Sequence, residues 1–428
     1  MSSAVRSLLS IATPEPPGSP RSRTALGRAW LAWNIDALLF GLAACSVPMS
    51  IAVTESLLAG SLLFRVINIA QRRAKVYLPR VFWFWLAWAV LELVVWLRAP
   101  RLRTGEGEIR HLALIAALFL LAPTLDRCRN WVAVWRGIVL TASIGSSVLI
   151  GHFVLQLIFY RGPLDPMVYL RNGGLLHHWM IYGTVEILVF AGLLELCSLF
   201  PEERRWLLPV LAINAVAILL SLTRMLWVCS LAVLCLHLAW SRSRWLWSIP
   251  AVACVAIWIA PGALRARVTE SMDLDYYSNA ERIQMLRVGW KMIQQHPLVG
   301  VGPGRVDELY TKYLSASDPI PAYHGHLHNN LVQLAAEFGI PVAMAAVLFV
   351  AVLFRELRNA WRLAVDREQQ FLSRTALLGL TGFVVSGLFD YTYGHSLGII
   401  LLGFTVLAPL MPLRELRLHN QVDGKAID

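Results

Sequence analysis

Tyr323-His324-Gly325-His326-Leu327-His328-Asn329-Asn330 decides how the chain is laid out. It closes a long polar stretch and runs directly into apolar sequence. Three histidines alternate over five residues, two asparagines follow, and the chain then reaches Phe338 and Gly339-Ile340-Pro341. Polar side chains at membrane depth are costly unless they face a partner or water. A polar cluster at the edge of an apolar segment therefore marks a candidate functional boundary.

The sequence on either side makes that edge a membrane edge. Of 428 residues, 57% are hydrophobic and only 15% are charged, the balance of a membrane protein. Lipid cannot satisfy exposed backbone groups, so the fold class is all-α. Taking about 20 residues per span, apolar segments fall near 29–47, 50–70, 79–97, 109–125, 131–159, 175–200, 206–222, 225–241, 244–261, 327–354, 371–391 and 395–412. That is a polytopic protein of about twelve transmembrane helices with one large external loop.

Residues 1–27, with Pro14, Pro16, Pro17, Pro20, Arg21 and Arg23, read as a cytoplasmic basic arm. Helices 1–9 occupy 28–261, the large loop 262–326 and helices 10–12 residues 327–412, and 413–428 form a cytoplasmic tail. Orientation follows from Arg72-Arg73-Ala74-Lys75, Arg127, Arg129, Arg204-Arg205, Arg242, Arg244 and Arg355 to Arg367, which all fall on one side. The net charge of +11 is thus explained by loops and membrane lipids, with no nucleic-acid partner. Two outer loops break the pattern, one with Arg98, Arg101, Arg103 and Arg110, the other running from Arg161 to Arg171. Their arginines either snorkel to headgroups or form an external basic surface for anionic substrates. The six cysteines are scattered without a CxxC and read as small core hydrophobes.

Within the large loop, Ser278-Asn279-Ala280-Glu281 has the pattern of a capping box. Ile283, Leu286, Trp290 and Ile293 then recur on one helical face, and His296-Pro297 ends the helix. Gly300-Val301-Gly302-Pro303-Gly304 is a tight turn. No Lys-Ser/Thr follows, so it is not a P-loop.

Several residues can carry chemistry. Imidazole exchanges protons near neutrality, so His328 is a candidate general base or phosphate ligand. His324, His326 and Asn329 are candidate substrate contacts, the two histidines alternatively hydrogen-bonding a helix start. No metal is expected, because no carboxylate is adjacent and asparagines are poor zinc ligands. Arg224 lies alone between two apolar segments, and Arg282 opens the loop helix. Guanidinium makes bidentate bonds to phosphate, so the two are candidates to grip one diphosphate, with Arg161 and Arg171 as further substrate contacts. Asp390, near the outer end of its segment, is a candidate to orient a histidine. Asp36, Glu55, Glu92, Glu186 and Glu195 are either relay groups or tied to neighbouring helices.

Three pieces of this sequence resemble the O-antigen ligase/polymerase superfamily, most closely the lipopolysaccharide O-antigen ligases. They are His328-Asn329 followed after nine residues by Gly339, Arg282 followed by Pro297 and the Gly300–Gly304 turn, and Thr223-Arg224 at an outer helix boundary. The family's Trp four positions after the loop Arg is here Leu286, with Trp290 a turn later. The resemblance implies a C-type glycosyltransferase fold with a large periplasmic loop, in a multi-pass protein of the bacterial inner membrane. It implies a glycan on undecaprenyl diphosphate as donor, a sugar hydroxyl of lipid A–core as acceptor, and no nucleotide, cofactor or metal. His328 would be catalytic, with Arg224 and Arg282 on the diphosphate. Alternatives are an O-antigen polymerase, a protein O-oligosaccharyltransferase and, from another class, a transporter of lipid-linked glycan. A transporter would place its polar groups at the midplane between inverted repeats; here they gather at one face.

Overall fold

The computed structural model describes residues 23–99, 102–161, 170–249, 262–316, 318–321 and 325–411, with Ala251, Val255 and Trp258. The described residues are helical, without strands. The helices are α1 (Arg23–Ser46), α2 (Ile51–Ala70), α3 (Arg80–Leu97), α4 (Glu106–Leu121), α5 (Cys128–Phe159), α6 (Trp179–Leu199), α7 (Arg204–Leu220) and α8 (Arg224–Trp240). They continue with α9 (Gly262–Met272), α10 (Tyr277–Gln295), α11 (Asn330–Phe338), α12 (Ile340–Leu363), α13 (Arg367–Ser386) and α14 (Ser396–Leu407).

Six helical stretches are long and apolar enough to cross a membrane: α2, α3, α4 with the turn that follows it, α5, α6 and α12. Ile35–Ser46, α8 and Ser396–Leu410 are shorter apolar helices. The composition-based expectation of a membrane protein therefore holds. The expected twelve segments correspond only partly to these helices. Half of 244–261, the basic arm at 1–22, the tail at 413–428 and His324 lie outside the described residues. The expected single helix 327–354 is two helices, broken where Gly339 takes φ +88° and Pro341 opens the first turn of α12.

α6 is the buried axis, packed by α5, α7, α8, α13 and α14. Around it, α2, α3 and α12 turn large apolar side chains outward, among them Leu63, Trp83, Val90, Met344 and Leu348. In water such a surface would be an association patch; in a bilayer it is the lipid face. Most of the acidic residues of the apolar segments are tied to basic partners. Glu195 accepts from Arg374 Nη2 at 3.1 Å and pairs with His237 at 2.7 Å, Asp36 lies 3.8 Å from Arg65, and Glu55 pairs with Arg110.

The glycine turn is a packing device. Val301 and Gly302 donate their amides to the carbonyls of Ala336 and Glu337 at 2.8 and 3.0 Å, and Gly304 donates to Glu337 Oε1 at 2.9 Å. These bonds satisfy acceptors at the end of α11 that the helix itself leaves open. Gly304 takes φ +65°, and a Cβ there would lie 1.7 Å from the Thr104 carbonyl oxygen. The large loop is thus clamped to α11 and to the segment before α4.

Candidate active site

The edge stretch is built to present His328. Leu327 donates its amide to Gln333 Oε1 at 2.7 Å, and His328 donates its own to His326 Nδ1 at 3.3 Å. His328 takes φ +48°, a left-handed conformation that non-glycine residues adopt only when their surroundings hold them there. Asn329 then caps α11, its Oδ1 accepting from the Leu331 and Val332 amides at 3.0 Å each. Its Nδ2 donates to the Leu388 carbonyl at 3.1 Å, so Asn329 is occupied in building the loop.

A second loop, after α13, meets the first. The Asn330 amide donates to the Gly387 carbonyl at 2.7 Å, its Nδ2 donates to Thr392 Oγ1 at 2.9 Å, and its Oδ1 accepts from the Tyr393 amide at 3.1 Å. The fit is close: a Cβ on Gly387 would lie 2.2 Å from Asn330 Nδ2. Between these anchors comes Asp390, buried at 1% exposure, with Oδ1 2.8 Å from His328 Nδ1. One ring nitrogen of His328 is thereby engaged, and the partly exposed ring keeps Nε2 for proton exchange.

The site's charges follow from burial and neighbours. Burial alone would raise Asp390, but the His328 hydrogen bond and the nearby His395, His328 and His326 rings outweigh it and hold the carboxyl at about 2. Burial and the His328 ring push His326 down to about 3. Burial likewise lowers His178 and His395, which also feel Asp390 and His328. At neutral pH the edge therefore carries the Asp390 carboxylate, with His326, His178 and His395 kept from adding charge.

Ligand atoms of His326, His328 and Asp390 lie within 4.8 Å of one another, a set that could hold a metal ion. The carboxylate that the local sequence lacks is thus supplied by another helix end. The donors fit a hydrogen-bonded pair better than a cation site: Asp390 Oδ1 already accepts from His328 Nδ1, and guanidinium groups stand nearby.

Those guanidinium groups form the second half of the site. Burial, then the charges of Arg267, Arg282 and Arg224, bring Arg171 down to about 9, which leaves it protonated at neutral pH. Its guanidinium carbon lies 4.3 Å from the Trp179 ring centre, and its Nε has no partner among the described residues. Arg224 Nη2 donates to Ser278 Oγ at 3.2 Å and Nη1 to the Glu270 carbonyl at 3.4 Å. Ser278 is thus engaged by Arg224, and the expected capping box does not form: α10 starts at Tyr277 without a side-chain cap. Arg267 pairs with Glu270 at 2.7 Å and donates to the Leu222 carbonyl at 3.2 Å. Arg282 makes no hydrogen bond or ion pair with any described residue. Burial lowers it, Asp390 favours its charge and Arg267 opposes it.

The structure therefore brings Arg171, Arg224 and Arg282 together and adds Arg267, which sequence reasoning missed. It does not bring Arg161, whose Nη1 donates to the Ile158 and Tyr160 carbonyls at 2.9 Å each, at the end of α5. His178, the second of the pair His177-His178, and His395 were also missed; each immediately precedes a helix, a pattern with no chemical signature.

Residues 209–347 match the O-antigen ligase family model. The chain resembles the O-antigen ligase superfamily, and the matched stretch, about a third of its length, takes in Arg224, Arg267, Arg282, the glycine turn and His328. Arg171 and Asp390 lie outside it. The match supports a membrane glycosyltransferase of O-antigen ligase or polymerase type, acting on lipid-linked glycans. No curated protein matches the chain.

Proposed function

We propose that the protein transfers an O-antigen glycan from undecaprenyl diphosphate to a sugar hydroxyl of lipid A–core, at the periplasmic face of the bacterial inner membrane. The observation that carries the reading is the His328–Asp390 pair beside the arginine cluster. In this mechanism Asp390 holds the Nδ1 proton, and His328 Nε2 takes the proton of the acceptor hydroxyl. The hydroxyl oxygen attacks the anomeric carbon. The bond from that carbon to the phosphate oxygen breaks, and its electron pair leaves with the diphosphate. Arg171, Arg224, Arg267 and Arg282 stabilise the charge that develops there. Direct displacement inverts the anomeric centre. A diphosphate leaves readily enough that no glycosidase-like carboxylate pair is needed.

On this reading 262–326 faces the periplasm, 1–27 and 413–428 face the cytoplasm, and no metal takes part. The test is transfer by detergent-solubilised protein with EDTA and no nucleotide. Glycosylated lipid A–core, lost in His328→Ala, supports the reading. Chain-lengthened lipid-linked glycan alone would replace it with a polymerase, and full activity of His328→Ala in a folded protein would refute the mechanism.

A further inference from the structure

The start of α6 stands between the two halves of the site. Gly183 packs on Met225 and Leu226, the residues that follow Arg224, and Thr184 Oγ1 lies 3.1 Å from Nδ1 of His395, at the end of the loop that carries Asp390. The segment leading into this helix has a set shape. Asn172 Oδ1 accepts from the Gly174 amide at 3.0 Å, Gly174 takes φ +58° against the Gly145 carbonyl of α5, and His177 takes φ +62° with Nδ1 2.9 Å from the Leu175 carbonyl oxygen. A non-glycine residue keeps a positive φ only where its surroundings hold it there. Trp179 then opens α6 and carries two partners. The Arg171 guanidinium carbon lies 4.3 Å from its ring centre, and the His178 ring stacks on it at 4.6 Å and 22°.

His178 is also the cap of α6. Its Nδ1 accepts from the Met180 amide at 3.2 Å, so the ring carries its proton on Nε2. The positive end of the helix dipole opposes a second proton. The residue is exposed, and its Nε2 makes no hydrogen bond with any described residue. Cap and stack together therefore present one uncharged N–H donor of fixed direction. In a direct displacement the leaving phosphate, the anomeric carbon, the attacking oxygen and the base come in that order. Arg171, on the same segment as His178, belongs to the phosphate end, and the charges of Asp390 and His328 at the base end also act on His178. What lies between those ends is the sugar being transferred, and its free oxygens are uncharged hydroxyls that a neutral N–H suits. We infer that His178 donates from Nε2 to a hydroxyl oxygen of the transferred sugar and so reads the sugar joined to the diphosphate. The inference rests on the glycosyltransferase reading and adds a sugar-recognising residue to it.

The test is equilibrium binding to the full-length, detergent-solubilised protein of undecaprenyl diphosphate with and without its sugar. His178→Asn keeps an Oδ1 for the Met180 amide and withdraws the Nε2 donor; His178→Gln extends an amide N–H to where Nε2 stood. His178→Asn is expected to lose affinity for the sugar-bearing lipid about 3- to 10-fold and to keep its affinity for undecaprenyl diphosphate within about twofold, and His178→Gln to recover most of the loss. Sugar-bearing lipids lacking one hydroxyl at a time then locate the contact: one of them is expected to bind wild type and His178→Asn equally. An unchanged affinity for the sugar-bearing lipid, an equal loss for both lipids, or a difference that every deoxy donor preserves would overturn the inference. So would a difference in transfer rate that is abolished by a deoxy acceptor sugar and by no deoxy donor. Binding needs no turnover, so the expected pattern in a wild-type protein that transfers no glycan would count against the functional reading and not against the sugar contact.

Discussion

The Asp390→Asn exchange isolates the contribution of one carboxylate. Asp390 is fully buried, accepts from His328 Nδ1 at 2.8 Å and stays ionised down to about 2. On the proposed reading His328 becomes an imidazolium when it takes the acceptor's proton, and the carboxylate beside it stabilises that charge. A hydrogen bond to a charged group contributes about 1.5–3 kcal/mol. At about 1.4 kcal/mol per tenfold in rate, losing it costs roughly 10- to 100-fold. An asparagine can also present its amide to Nδ1 and fix the wrong tautomer, a fault that costs about four orders of magnitude where a histidine base is held by a buried aspartate. The expected loss in kcat thus lies between these limits, with KM for the donor little changed because the arginines are untouched. The assay is the initial rate of glycan transfer by purified protein, with melting in detergent confirming that the variant is folded. If Asp390→Asn kept kcat within about threefold of wild type, the carboxylate would not be supporting a base, and His328 would be better read as a phosphate ligand.

Three further outcomes follow from the geometry. Arg282→Ala should raise the donor KM and lower kcat, by about 1.5–3 kcal/mol in kcat/KM, while Arg161→Ala should leave transfer kinetics unchanged; equal effects in the two variants would dissolve the cluster as a unit. Gly304→Ala places a Cβ 1.7 Å from the Thr104 carbonyl at φ +65°, so the loop clamp should open and the melting temperature drop by several degrees, as seen in a detergent thermal scan, for a cost of about 1–3 kcal/mol. Acidification should destabilise the site in two windows. His326 is lowered from 6.5 to about 3, so the unfolded chain binds its proton first and stability falls as pH drops below about 6.5; Asp390 is lowered from 3.8 to about 2, so its contribution is present above 3.8 and is lost toward 2. His326→Gln should flatten the upper part of a melting-temperature profile against pH and leave the lower part.

The helical, membrane character of the chain was legible because it depends on local composition. Runs of apolar residues, the polar edge at 323–330 and the turn at 300–304 each announce themselves within a short window. What failed depends on helical phase and on long-range packing. Arg265 and Arg267 are chemically identical and two positions apart, yet one is exposed and the other is 3% exposed and paired with Glu270. Arg161 and Arg171 flank one loop with equal promise, and only one reaches the cluster. Asp390 follows His328 by 62 positions, and nothing in either segment states that Asn330 will tie the two loops together. The capping-box pattern at 278–281 was correct as a pattern and lost to a competitor, because the Ser278 hydroxyl meets Arg224 from a different helix.

The charges at the edge explain how a histidine base and a cationic cradle can stand side by side. Four guanidinium groups, that of Arg267 buried and those of Arg171, Arg224 and Arg282 half-buried, face two carboxylates, Asp390 and Glu270, which leaves two positive charges uncompensated. Burial keeps His326, His178 and His395 from adding to that excess at neutral pH. On the proposed reading, a sugar-linked polyprenyl diphosphate brings two negative charges and balances the site. As the glycosidic bond breaks, the leaving diphosphate gains a further negative charge, and the same arginines hold it more tightly than they held the substrate. That difference lowers the barrier, since only interactions that strengthen on the way to the transition state accelerate a reaction. The separation of roles is therefore electrostatic as well as spatial. The cluster would stabilise the leaving group, while Asp390, held low by the histidines around it, stabilises the proton on His328 without drawing the base into the cationic field.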